Sequence, residues 1–230
     1  MARKGDLDCF YEILDDLRQR IGGCRRLHDC TGKSGWPKRG VYFFFEDGEF
    51  RDDQRTLRVV RVGTHAITAS SRTTLWNRLH THRGHSDLGG NHRGSIFRKR
   101  IGDALWKAEK HPNDVTRTWG IGSSAAKSVR LVEVPLERKV STYIGKMPFL
   151  WTSISDAPSP KSGRAYLELN CIALLSNFER PPIDQPSPNW LGLQSDQRTI
   201  RESGLWNTNH VEKSYDPEFL GKLNAYVRGV

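Results

Sequence analysis

The stretch GVYFFFEDGEF, Gly40 to Phe50, decides the fold. Its four successive aromatic residues, Tyr42 to Phe45, leave no polar face, so the run reads as a strand buried on both sides. Asp47-Gly48 is a turn signal. Working outward, LRVVRVG (Leu57 to Gly63) is β-branched at its centre and follows a short charged link, which predicts an antiparallel partner. PFLWTSIS, residues 148–155, reads as a third strand. Upstream, Leu7, Phe10, Leu14, Leu17 and Ile21 recur at helical spacing over 6–21, and Gly22-Gly23 stops that helix.

Downstream of the strand pair, a helix is expected over 72–81 with Ser71 as its cap, then a second with Ile96, Phe97, Ile101, Leu105 and Trp106 facing inward. Residues 112–128 read as a loop and VRLVEV (129–134) as a candidate strand, and Pro135 can open a short helix through Gly145. Residues 163–178 read as an apolar helix, which the proline-rich ERPPIDQPSPNW ends. The tail is expected to pack back and finish in a short helix. The fold class is α+β: a small three-stranded antiparallel sheet flanked by helices. Its divisions are an N-terminal helical extension (1–39), a central domain (40–180) and a C-terminal extension (181–230).

The chain carries 36 Lys and Arg against 26 Asp and Glu, a net +10. Residues 51–117 hold 14 basic against 6 acidic residues, so +8 of that excess lies there. Such a segment points to a polyanion, most simply nucleic acid, or else to a merely solvated basic surface. No apolar run approaches the ~20 residues of a membrane span. The N-terminus lacks a signal-peptide core, so cytoplasmic residence is the expectation. Cys24, His28 and Cys30 lack a second ligand pair at zinc spacing, so these read as ordinary thiols and imidazole. TGKSGWPKRG contains Gly-Lys-Ser, but a phosphate loop needs a glycine where Leu27 stands.

Arg78 and His82 lie four apart on one helix face, able to address a phosphate or a hydroxyl, or simply to be solvated. Glu168 sits near the start of an apolar helix, where a carboxylate needs a divalent cation or an arginine such as Arg164.

In this order, Gly40-Val41-Tyr42, Arg61-Val62-Gly63, the Arg78/His82 helix and the Glu168 helix resemble the GIY-YIG nuclease family over roughly 40–180. The likeness is closest to its larger restriction-endonuclease-type members. The resemblance implies a metal-dependent endonuclease that leaves 5′-phosphate ends. Tyr42 would be the general base, Arg78 the ligand of the scissile phosphate and Glu168 the holder of Mg²⁺ or Mn²⁺. Arg61 stands where the second motif has tyrosine, and His65 would take up a polar role beside it. His82 or His80 would orient Tyr42. Tyr143-Ile144-Gly145 is a literal YIG far from the neighbouring strand. The family's late asparagine falls on Asn177 or Asn189, with Asn189 preferred. The basic residues Arg72, Arg83, Arg93, Arg98, Lys99 and Arg100 are expected on the face toward DNA, double-stranded and met by a homodimer if both strands are cut. The acids Glu133 and Glu137 fall on no motif position, and substitution there should be tolerated. The rival expectations are a nucleic-acid-binding protein on the same scaffold that no longer cuts, and an RNA-directed nuclease.

Overall fold

The computed structural model describes residues 2–85, 87, 89–109 and 118–230. Residues 112–117 of the expected loop lie outside them. At the centre is an antiparallel sheet of four strands rather than three, in the order β1-β4-β2-β3. The strands are β1 (Arg25–Arg26), β2 (Gly40–Phe50), β3 (Leu57–Gly63) and β4 (Pro148–Ser153). The additional strand has two residues, paired with Phe149 and Pro148 at the sheet edge. A pair so short carries no periodicity to read.

Pleating sends alternate β2 residues to two separate cores. Val41, Phe43 and Phe45 pack against α1 (Ala2–Arg20), α5 (Gly163–Leu175) and α7 (Phe219–Arg228), through residues such as Phe10, Ile172 and Phe219. Tyr42 and Phe44 pack against α2 (Leu75–Arg83), α3 (Ile96–Glu109) and α4 (Lys127–Lys146), through Leu79, Phe97 and Val140. The short α6 (Arg198–Ser203) adds Ile200 to the second core. Val41 to Phe44 therefore have no exposed surface, which is why the run lacks a polar face. Burial of each large side chain is worth about 1.5–3 kcal/mol.

Four local expectations are corrected. VRLVEV is no strand: residues 127–146 form one helix with Pro135 inside it. Leu131 and Val132 face solvent, while Leu136, Val140 and Ile144, four apart, are buried. Helix α2 begins at Leu75, where the Thr74 side chain, not that of Ser71, accepts the Asn77 N–H. Ile96 is 42% exposed and does not join the inward row of α3. Helix α5 ends at Leu175, three residues early. Asn177 then takes the Ile183 N–H and donates to the Ile183 carbonyl, which turns the chain into the proline-rich segment.

Candidate active site

Tyr42 and Gly63 face each other across the β2–β3 pair. A Cβ on Gly63 would lie 2.3 Å from the Tyr42 hydroxyl oxygen, so the phenol occupies the space a side chain would need. Gly40, at the mouth of β2, is equally constrained: a Cβ there would lie 2.2 Å from the Thr152 carbonyl oxygen.

Around the Tyr42 hydroxyl the polar groups are interlocked. Its oxygen lies 2.8 Å from His82 Nε2, and His82 Nδ1 lies 2.8 Å from Ser95 Oγ. His82 is wholly buried. Burial foremost, and then the cations Arg78, Arg61 and Arg98, hold its pKa well below the usual imidazole value, so the ring is neutral. Arg61 is buried too. Its guanidinium lies close enough to Tyr42 to interact electrostatically with it, donates through Nη1 to the Trp206 carbonyl at 3.0 Å and lies 4.5 Å from the centre of the Phe97 ring. Arg61 Nε is left without a partner among the described residues.

Glu168 is partly buried, and its Oε1 accepts the Thr64 N–H at 3.1 Å. Burial raises its pKa, opposed by Arg61, the Thr64 N–H, His210 and Arg78. Arg164 is not its partner. That guanidinium is sealed between Asp156 and the carbonyls of His65 and Ala66. Arg78 is partly exposed and, among the described residues, its guanidinium makes only a long contact, 3.5 Å, to the Gly94 carbonyl, with its buried Nε unpartnered. His65 adjoins this group. Burial and then Arg164 lower its pKa to about 4. Its Nε2 is 3.4 Å from the Lys38 carbonyl, and Nδ1 has no partner among the described residues.

Tyr42, Arg61, Arg78, His82 and Glu168, drawn from β2, β3, α2 and α5, thus share one neighbourhood, with His65 at its edge. Other candidates lie elsewhere. His80 is on another face of α2, its ring 5.6 Å from that of Trp76. Asn189 is exposed and makes no hydrogen bond among the described residues, while Asn177 is the clip after α5. Tyr143 donates its hydroxyl to Glu46 inside the second core.

The expected cationic face is also redrawn. Arg98 is wholly buried, bound to Glu137, Ser141 and the His82 carbonyl. Arg93 is paired with Glu133 at 2.7 Å, both side chains 2% exposed. Lys99 and Arg100 share Asp103. Glu133 and Glu137 are therefore internal counter-ions, not tolerant surface acids. Arg72 is exposed, and Arg83 is partly exposed with one contact to the His28 carbonyl at 3.4 Å.

Sequence reasoning missed Ser95, Thr64 and Asn207. Asn207 bonds both the N–H and the carbonyl of Val62, acting as a fragment of strand beside β3. Nothing in its LWNTNH context signals that; only the close of the chain onto β3 creates it.

Among the described residues, no group of three or more His, Cys, Asp or Glu side chains is placed to hold a metal ion. None of the described helices is long and apolar enough to cross a membrane. A family model described as GIY-YIG domain matches residues 1–230. No curated protein and no solved structure matches the chain.

Proposed function

The chain belongs to the GIY-YIG domain family, whose domain is a nuclease domain acting on nucleic acid, and on that premise we propose a metal-dependent DNA endonuclease with Tyr42 at its reacting centre. The observation that carries this is the Tyr42–His82 contact of 2.8 Å with the Arg61 guanidinium beside the same hydroxyl. With its Nδ1 proton on Ser95, neutral His82 presents an Nε2 lone pair to the phenol and fixes its direction. The phenol can pass its proton to His82 Nε2, and Arg61 favours the negative charge left on that oxygen, which then takes a proton from the attacking water. Arg78, with donors uncommitted, receives the scissile phosphate.

Glu168 is the carboxylate the site offers to a cation. A single carboxylate does not make a closed zinc site. It does suit Mg²⁺ or Mn²⁺ completed by water and phosphate oxygens. When bound, such an ion would supply charge stabilisation at the phosphate and the leaving oxygen. The products expected are 5′-phosphate and 3′-hydroxyl ends. One such site cuts one strand, so duplex cleavage of a restriction or defence kind would need a second copy.

The test is nicking of a supercoiled plasmid in Mg²⁺ and in EDTA. Glu168→Gln is expected to lose at least about a hundredfold in nicking, since it removes the metal's protein ligand, while DNA binding is kept. Normal nicking by Glu168→Gln would overturn the metal assignment.

One observation favours a second reading. Tyr42 has no exposed surface, so a water reaching its hydroxyl must displace a neighbouring side chain. A protein that binds without cutting would gel-shift the plasmid and leave it unnicked in either condition.

A further inference from the structure

The segment TGKSGWPKRG, which is no phosphate loop, has a place on the surface. Trp36 from that segment stacks on Trp76 of α2 with centroids 5.3 Å apart and planes within 15°. The row continues inward to Trp151, 4.9 Å from Trp36, and outward to His80, 5.6 Å from Trp76. Both Trp36 and Trp76 are partly exposed. They line a groove with Lys33, Pro37, Lys38 and Thr74. Gly32 closes one side, and a Cβ there would lie 3.0 Å from Trp76 Nε1. That indole N–H has no acceptor among the described residues, whereas Trp36 Nε1 donates to the Thr31 carbonyl at 2.7 Å.

The charge around this row is uncompensated. The Arg25 guanidinium lies 4.8 Å from the Trp151 ring centre and 5.7 Å from that of Trp36. Lys33 and Lys38 are exposed, and Arg83 shares the α2 face of Trp76 and His80 at helical spacing. The acids at that edge, Asp47 and Asp29, are taken by Arg26 and His28. No carboxylate pairs with Arg25, Lys33, Lys38 or Arg83 among the described residues. Arg93, Arg98 and Arg100 are held by acids of the fold, whereas Arg72 and Arg78, like the cations of this row, have no carboxylate partner among the described residues. The row also touches the candidate active site. The Lys38 carbonyl accepts the Leu75 N–H at 3.0 Å and lies 3.4 Å from His65 Nε2.

Flat aromatic faces ringed by unpaired cations match an unpaired nucleotide, whose base has an open π-face and whose phosphate is anionic. A duplex hides those faces, and a peptide would not need the cations. We propose that this surface is a stacking platform for a single-stranded nucleic-acid segment. A base rests on Trp76, and the adjoining phosphates lie on Lys33, Lys38 and Arg83. The choice of partner rests on the nuclease reading; the platform itself requires no cleavage.

The test uses the full chain in EDTA, titrated with short oligothymidylate, matched oligouridylate and a blunt duplex, read by tryptophan quenching and by anisotropy. Quenching by either single strand, with tighter binding than the duplex, is expected, and the two arms distinguish DNA from RNA. Trp76→Ala should weaken single-strand binding by about tenfold to a hundredfold, and Trp76→Tyr should restore most of it. Lys33→Glu with Lys38→Glu should flatten the salt dependence. Circular dichroism checks that each variant is folded. No quenching, or unchanged affinity in folded Trp76→Ala, overturns the platform. If plasmid is nicked in Mg²⁺ while single strands do not bind, the platform alone is wrong; if single strands quench while plasmid stays intact, only the nuclease reading fails.

Discussion

Between Tyr42 and Gly63 the space admits a hydroxyl or a methyl group, not both. Gly63→Ala should therefore cost about 1–3 kcal/mol by overpacking and reduce nicking beyond what its melting temperature explains, because the phenol must rotate off His82. A pair of phenol deletions separates the two tyrosines. Tyr42→Phe should abolish nicking while the fold is kept. Tyr143→Phe takes a donor from Glu46, which still has the indole N–H groups of Trp190 at 3.2 Å and Trp206 at 3.5 Å. It should lower stability by about 1–3 kcal/mol and leave nicking per folded molecule near normal. His65 supplies a pH signature. Its folded pKa, about 4, lies below the usual imidazole value of about 6.5, so the unfolded chain binds a proton first as pH falls. The stability it contributes is complete above about 6.5 and is lost toward about 4. His82 acts in the same direction, and Glu168, with its raised pKa, in the opposite one. Urea midpoints between pH 7 and 4.5 should therefore fall less for His65→Gln than for the parent chain.

Helix α4 shows what an element's neighbours decide. Glu133 and Glu137 project one turn apart toward Arg93, His92 and Arg98, and Arg98 in turn reaches the His82 carbonyl. A counter-ion two helices further along the chain from the histidine thus helps fix it. Glu137→Gln leaves a buried guanidinium without its charge partner and should destabilise by about 3–5 kcal/mol, measured by chemical denaturation; Glu133→Gln should fall short of that, because Glu137 also holds the His92 N–H and ring. This network explains the misreading of VRLVEV. Its apolar residues are surface residues of a helix whose buried stripe lies further on, and no local period distinguishes the two until α3 is in place. By contrast the apolar first half of β2, Val41 to Phe45, was legible because a strand segment sealed on both faces needs no outside information. The site was legible in the same proportion: Tyr42, Arg78, His82 and Glu168 sit in elements with strong local patterns. Ser95 and Asn207 act through connections that only the closed fold makes.

For the molecule as a whole, net charge and its sequence address are different quantities. The +8 of residues 51–117 is largely cancelled in space by acids from other segments, including Asp8, Glu49, Glu133, Glu137, Asp184 and Asp196. The overall +10 must then be expressed by cations elsewhere. Reversing Arg98 should unfold the chain rather than merely weaken DNA binding, and a thermal melt beside a gel shift separates the two outcomes. Both termini belong to the first core, with Phe10 from α1 and Phe219 from α7 in one cluster with Phe43. The opposition of Tyr42 and Gly63 also bears on how such chains are recognised. In this chain the two positions are coupled: the Tyr42 hydroxyl fills the space a side chain at 63 would need, whatever residue stands two places before the glycine. A profile that scores each strand independently penalises Arg61 for an absent tyrosine, yet would let a bulky residue at 63 pass on the strength of its neighbours. Scoring the two positions as one symbol reverses both errors.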